Sequence, residues 1–143
     1  MYRLCVLTPV LLMAGCLARV ERAVIPVREP EQALAKSAAV LKREGFVVRT
    51  VDLRRGLVRT TWRFTERRDG EGFLYYRYLV EQKEDAEEIA FRIEVIRCQF
   101  APAEGDEWGK SGCDRMPPRV PMWAESDYQR IADILRGVHR PRD

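Results

Sequence analysis

The sequence predicts an α+β domain of two layers: a four-stranded antiparallel meander covered by an N-terminal and a C-terminal helix. Three observations carry this. Apolar residues recur with helical period in two stretches, 31–44 and 126–139. Between them, from Phe46 to Phe100, the period falls to two. Short turns separate the successive period-two runs, and strands joined so closely pair antiparallel. One apolar sheet face and two amphipathic helices then make a two-layer domain.

The first helix is expected over 31–44. Leu34, Ala38 and Leu41 form its stripe, with Val40 beside them. Pro30 suits the first turn, Glu29 and Glu31 suit the positive end of the helix dipole, and Lys42 and Arg43 the negative end. Gly45 stands where a left-handed cap belongs.

Four strands follow. The first runs from Phe46 to Leu53 and turns at Arg54-Arg55-Gly56. The second, Leu57 to Phe64, places Val58, Thr60, Trp62 and Phe64 on one face and Arg59, Thr61 and Arg63 on the other. Gly70 and Gly72 mark the next turn, before a strand from Phe73 to Glu81. The fourth runs from Ile89 to Phe100; its alternation slips after Val95, which predicts a bulge at Ile96 or Arg97. Residues 101–123 form an irregular loop with four prolines. The last helix begins near Ser126, with Ser126 and Gln129 as a capping box and Tyr128, Ile131, Leu135 and Val138 as its stripe.

The chain of 143 residues has 25 basic and 22 acidic side chains. That near-neutral balance lacks the clustered positive charge of a nucleic-acid binder, so no nucleic-acid partner is expected. No catalytic set emerges, and neither enzymatic activity, a cofactor nor a metal is expected. The lone His139 reads as a partner of the last helix's C-terminal dipole.

The N-terminus is distinctive. Arg3 precedes an uncharged apolar run, Leu4 to Ala14, too short to span a bilayer permanently and suited to a secretory signal. The run ends in Met13-Ala14-Gly15-Cys16. This resembles the lipobox of bacterial lipoproteins. The resemblance implies cleavage after Gly15 and acylation of Cys16 by diacylglycerol and fatty acids such as palmitate. Leu17, in place of the Asp associated with inner-membrane retention, implies anchoring in the outer membrane, at its periplasmic face. Two alternatives stay open: a buried N-terminal helix with a chance cysteine, and secretion with cleavage elsewhere. The expected organisation is a signal peptide over 1–15, a lipidated N-terminus and tether over 16–29, one α+β domain over 30–139 and a tail over 140–143.

Four cysteines are present. Cys5 leaves with the signal and Cys16 is acylated, which leaves Cys98 and Cys113. In an oxidising periplasm such a pair reads as a disulfide. The alternative is a metal site, which needs about four ligands.

Two surfaces are candidate sites. Arg59 and Arg63, continued by Arg77 and Arg92 on neighbouring strands, form a basic sheet face for anionic lipid, lipopolysaccharide or peptidoglycan. The alternative is cross-strand pairing with Glu81 and Glu94. In the stapled loop, Trp108, Met116 and Trp123 are the residue types that protein interfaces favour. The alternative is that Trp123 packs under the final helix.

The stretch from Ala39 through Gly45-Phe46-Val47-Val48, Asp52 and Gly56-Leu57-Val58 to Thr60-Thr61-Trp62 has a recognisable rhythm. A helix ends in Gly-aromatic, a strand leads to Asp, and a Gly turn precedes a strand carrying Thr-x-Trp. It resembles the helix-grip domain of the C lipoprotein of the outer-membrane β-barrel assembly machinery. That resemblance implies an accessory role in the envelope. The expected function is a non-enzymatic accessory or scaffold in a cell-envelope complex, with a membrane contact through lipid and an envelope protein as partner. Binding of an anionic envelope ligand is the alternative. Inhibition of a hydrolase by the 98–113 loop is a third.

Overall fold

The structure, a computed structural model, describes residues 22–68, 72–84, 86–99, 112–117 and 119–140. The elements are β1 (Arg22–Pro26), α1 (Ala33–Arg43), β2 (Val48–Asp52), β3 (Leu57–Thr60), β4 (Arg63–Arg68), β5 (Gly72–Glu81), β6 (Glu88–Cys98), β7 (Cys113–Arg115) and α2 (Glu125–His139). Together they make an α+β architecture, an open antiparallel sheet of seven strands with two helices. None of the described helices is long and apolar enough to cross a membrane.

The sheet order is β1-β6-β5-β3-β2, with β4 also paired to β5 and β7 to β6. The four expected strands therefore stand in meander order, β2-β3-β5-β6, but the four-stranded count is corrected to seven. One addition is β1, which lies inside the expected 16–29 tether. It pairs with β6 from Arg22↔Arg92 to Pro26↔Glu88, and it buries Ile25 completely. The sheet thus reaches back to Arg22, ahead of the boundary expected at residue 30. Another addition is β7, inside the expected loop, paired with β6 at Ile96↔Arg115, Arg97↔Asp114 and Cys98↔Cys113.

The expected second strand is in fact two. Arg59 pairs with Leu79, yet Arg63 pairs with Tyr76. Four residues on one side oppose three on the other, so one extra residue is inserted between Thr60 and Arg63. Because strand side chains alternate with period two, one inserted residue turns the following side chains to the opposite face. Val58 and Thr60 face the helices, whereas Phe64 faces away beside Tyr75. The bulge expected at Ile96 or Arg97 is absent. The β5–β6 register is unbroken from Phe73↔Cys98 to Glu81↔Ala90. Val95 and Ile96 are both buried because each face has an apolar cluster at that level.

The main core joins both helices to one sheet face. Leu41 of α1, Ile131 and Leu135 of α2, and Val58, Tyr78, Val80, Ile89 and Phe91 of the sheet are all essentially inaccessible. The Tyr128 ring stacks on Phe91 with centroids 4.7 Å apart, and its hydroxyl donates to the Phe91 carbonyl at 2.6 Å. The same oxygen accepts from the Ala23 amide at 2.9 Å, so one side chain ties α2 to β1 and β6.

Both helices are entered by a 3₁₀ turn, Pro30–Gln32 and Met122–Ala124. This displaces the expected capping box: α2 starts at Glu125, behind Ala124, with no side-chain cap. The end of α1 follows expectation. Gly45 has φ of +89°, its amide donates to the Lys42 carbonyl, and the Phe46 amide donates to the Leu41 carbonyl. That is the Schellman pattern, which satisfies carbonyls that the helix leaves open. At the β2–β3 turn, Gly56 (φ +66°) is required sterically, since a Cβ there would stand 1.9 Å from the Gln82 carbonyl oxygen.

Candidate functional site

The face of the sheet turned away from the main core is ordered in cross-strand rows. One row runs Arg22, Arg92, Leu79, Arg59, Thr50. The next, toward the Cys98 end, holds Glu94 and Arg77; beyond it lie Arg115, Ile96, Tyr75 and Phe64, and then Cys113, Cys98 and Phe73. Cys98 and Cys113 form a disulfide, with Cα atoms 4.1 Å apart. The bridge closes the outer face and pins β7 to β6.

Around the bridge stands a second apolar cluster. Tyr75, Ile96 and Cys98 are buried, with Trp62, Phe73 and Cys113 packed against them. Phe64 completes it, with ring centroids 5.4 Å from Tyr75 and 6.2 Å from Phe73, yet it remains 53% exposed. The pattern read from the sequence assigns Trp62 and Phe64 to the same face as Val58; the bulge carries them to the opposite face.

The four arginines of the expected basic face do not act as one patch. Arg77 is mostly buried and pairs with Glu94, Nη2 to Oε2 at 2.6 Å. Its guanidinium lies 4.2 Å from the Trp62 ring centroid. Burial lowers the Arg77 pKa, against the pull of Glu94, and the neighbouring charges of Arg59 and Arg115 add to the lowering. Arg92 pairs with Glu81 at 2.5 Å and reaches Glu94 at 3.7 Å. Arg59 donates to Thr50 Oγ1 at 3.4 Å, and its Nε is buried with no hydrogen-bond partner among the described residues. Arg63 faces the other way: its guanidinium donates to the Gly45 carbonyl and lies 3.8 Å from the Phe46 ring centroid. Arg63 is therefore separated from Arg59, Arg77 and Arg92 by the sheet itself, again because of the inserted residue.

Of the expected interface residues, Met116 and Trp123 pack against the main core, Trp123 with its ring 5.6 Å from Tyr76. Met122, between the two, is 92% exposed. Trp108 and Cys16 lie outside the described residues.

No protein-family model matches the chain, and no curated protein is similar to it in sequence. Its own geometry is what bears on function.

His139 is more than a dipole partner. It is 3% exposed, and its Nε2 lies 3.0 Å from Ser37 Oγ, which donates to the Ala33 carbonyl at 2.7 Å. With the hydroxyl proton committed to that carbonyl, Nε2 is the donor to Ser37, and burial favours the neutral ring that carries its proton there. The pair ties α1 to α2. Burial lowers the His139 pKa, and the nearby Lys36 charge adds to the lowering. Tyr78 is a second buried polar tie, donating to Asp127 Oδ2 at 2.6 Å. Its pKa is raised well above the phenol range, first by burial and then by the bond to Asp127. Neither pair is signalled by local spacing, since their partners lie 102 and 49 residues apart.

A concavity of about 970 Å³ lies at the opposite end of the sheet, around the β2–β3 and β5–β6 turns. Its walls carry both signs of charge, including Arg22, Arg54 and Lys83 with Glu31, Glu84 and Glu88.

Proposed function

We infer that the chain is a lipoprotein anchored through Cys16 to the periplasmic face of the outer membrane, acting without catalysis as an accessory or scaffold in an envelope complex. The observation that carries this reading is the Cys98–Cys113 bridge. Disulfides persist in oxidising compartments, as an exported protein requires. The bridge also uses up two of the four cysteines, and Cys5 would leave with the signal. Cys16, behind Met13-Ala14-Gly15, is then the thiol left for acylation. The scaffold role draws on Met122, exposed at the entry to α2 and of a residue type that protein interfaces favour.

Recognition of one discrete anionic ligand by the basic face receives less support. Arg77 and Arg92 already hold carboxylates, and Arg63 lies on the other face. That leaves Arg59 as the arginine available for such a ligand.

The reading is tested by labelling cells with tritiated palmitate and fractionating their membranes. The wild-type chain is expected to take up label and to sediment with outer membrane, and Cys16→Ser to do neither. Partner capture by crosslinking in those membranes then tests the scaffold role. An unlabelled wild-type chain in the soluble periplasm would contradict the anchoring.

A further inference from the structure

We propose that the bridge end of the outer sheet face rests on the lipid surface that holds the anchor, so that the domain lies against the membrane and does not stand off it. The proposal rests on acylation of Cys16 and adds an orientation and a contact surface to it.

The first support is chain length. The sheet begins at Arg22, so five residues, 17–21, separate the acylated position from β1. The six Cα-to-Cα steps from Cys16 to Arg22 reach at most about 21 Å when fully extended. A long tether is thereby excluded. The second support is direction. Because β1 runs antiparallel to β6, the strand at Arg22 points its upstream end toward Cys98. From Arg92, the partner of Arg22, six steps lead along β6 to Cys98, about 20 Å at the rise of a strand. The reach of the anchor and the distance to the bridge are the same.

The third support is chemistry. Among residues with described side chains, the outer face from the Arg92 row to the bridge carries Arg22, Arg59, Arg77, Arg92 and Arg115 against Glu94, with Glu81 paired to Arg92 from the next row. Beside them stands the aromatic cluster, with Phe64 half out in solvent. Arginine with aromatic rings suits a bilayer interface: the rings enter the headgroup layer and the guanidinium groups meet lipid phosphates. Asp52 shares the next row with Glu81, and Glu88 lies one row farther from the bridge. The Arg77–Glu94 and Arg92–Glu81 pairs do not oppose this role, because a charged surface responds to net charge and needs no free guanidinium. An anchor this short also raises the local concentration of the surface, so a weak contact is populated.

The test maps lipid contacts directly. The chain purified from membranes is reconstituted into phosphatidylglycerol–phosphatidylethanolamine vesicles carrying a diazirine phospholipid, irradiated, digested and analysed by mass spectrometry. Vesicle flotation reads the acylation separately. If the chain fails to float, its residues 16–143, which contain every described element, are coupled through the Cys16 thiol to a maleimide phospholipid in the same vesicles. Either form is expected to carry adducts concentrated on the peptides holding Trp62–Phe64, Phe73–Tyr75 and Arg115. Those adducts should fall several-fold in Phe64→Ser, in Arg115→Glu and in phosphatidylcholine vesicles. Circular dichroism checks that both variants are folded. Adducts spread evenly over the surface, concentrated on α2 or on the β2–β3 turn, or unchanged in folded variants, overturn the proposal. So does crosslinking of this face in cells to a protein or to peptidoglycan in place of lipid.

Discussion

His139 Nε2 stands 3.0 Å from Ser37 Oγ, a buried hydrogen bond between the last turn of α2 and the middle of α1. It makes stability depend on pH. Burial lowers the folded pKa of His139 below its ordinary value of 6.5. Between the folded and unfolded pKa, the unfolded chain binds the proton and the folded one does not. Stability is therefore full above about pH 6.5 and falls as the pH drops from there toward the folded pKa. Urea midpoints measured from pH 8 to pH 5 are expected to decline for the wild type below that point. In His139→Gln, which keeps a donor for Ser37, the decline should be shallower. Parallel profiles would show that the imidazole is not responsible.

Tyr128 is the link between α2 and the edge strand. Tyr128→Phe keeps the ring on Phe91 but leaves the Ala23 amide and the Phe91 carbonyl without the hydroxyl. A cost of about 1–3 kcal/mol in unfolding free energy is expected, as for other buried groups left without a partner. Amide exchange at Ala23 should accelerate more than exchange in β5. Equal acceleration in both strands would mean that β1 is not held by this contact.

The bridge closes an interval of 15 residues. Replacing Cys98 and Cys113 together by Ala is expected to remove about 3 kcal/mol in the chain-entropy account. Protection from exchange should be lost first in β7, which has only three paired residues. A double variant with unchanged melting temperature would refute the role assigned to the bridge.

Arg59 and Arg63, four positions apart, act on opposite sides of the sheet. Arg63→Ala removes a cation–π contact with Phe46 and a donor to the Gly45 carbonyl. A loss of about 1–2 kcal/mol follows, with faster exchange at the end of α1. Arg59→Ala removes a buried Nε that has no partner among the described residues, so its cost should be smaller. The reverse order of the two effects would contradict the bulge.

Much of this fold is legible in the sequence. The Leu34, Ala38 and Leu41 stripe announces α1 because helix burial follows a period of 3.6, and all three are buried. Four strands are legible from their alternation and turns, and Glu81 and Glu94 stand out as cross-strand partners for the arginines. Strand β1 is not legible. Its five residues end in proline, and its ladder partner lies more than 60 residues away. The bulge is hidden for another reason. The sequence keeps alternating through Val58, Thr60, Trp62 and Phe64, and only the register against β5 shows that an extra residue intervenes. That single residue decides the site. It turns Arg63 toward the helices and gathers Trp62 and Phe64 outside with Tyr75 and Phe73.

Acylation at Cys16 is read from the intact mass of the protein extracted from bacterial membranes, with sequencing of its N-terminal peptide. The expected protein begins at Cys16 and is heavier than residues 16–143 by a diacylglyceryl group and a fatty acid. A chain that begins elsewhere, or that begins at Cys16 with an unmodified thiol, would contradict it.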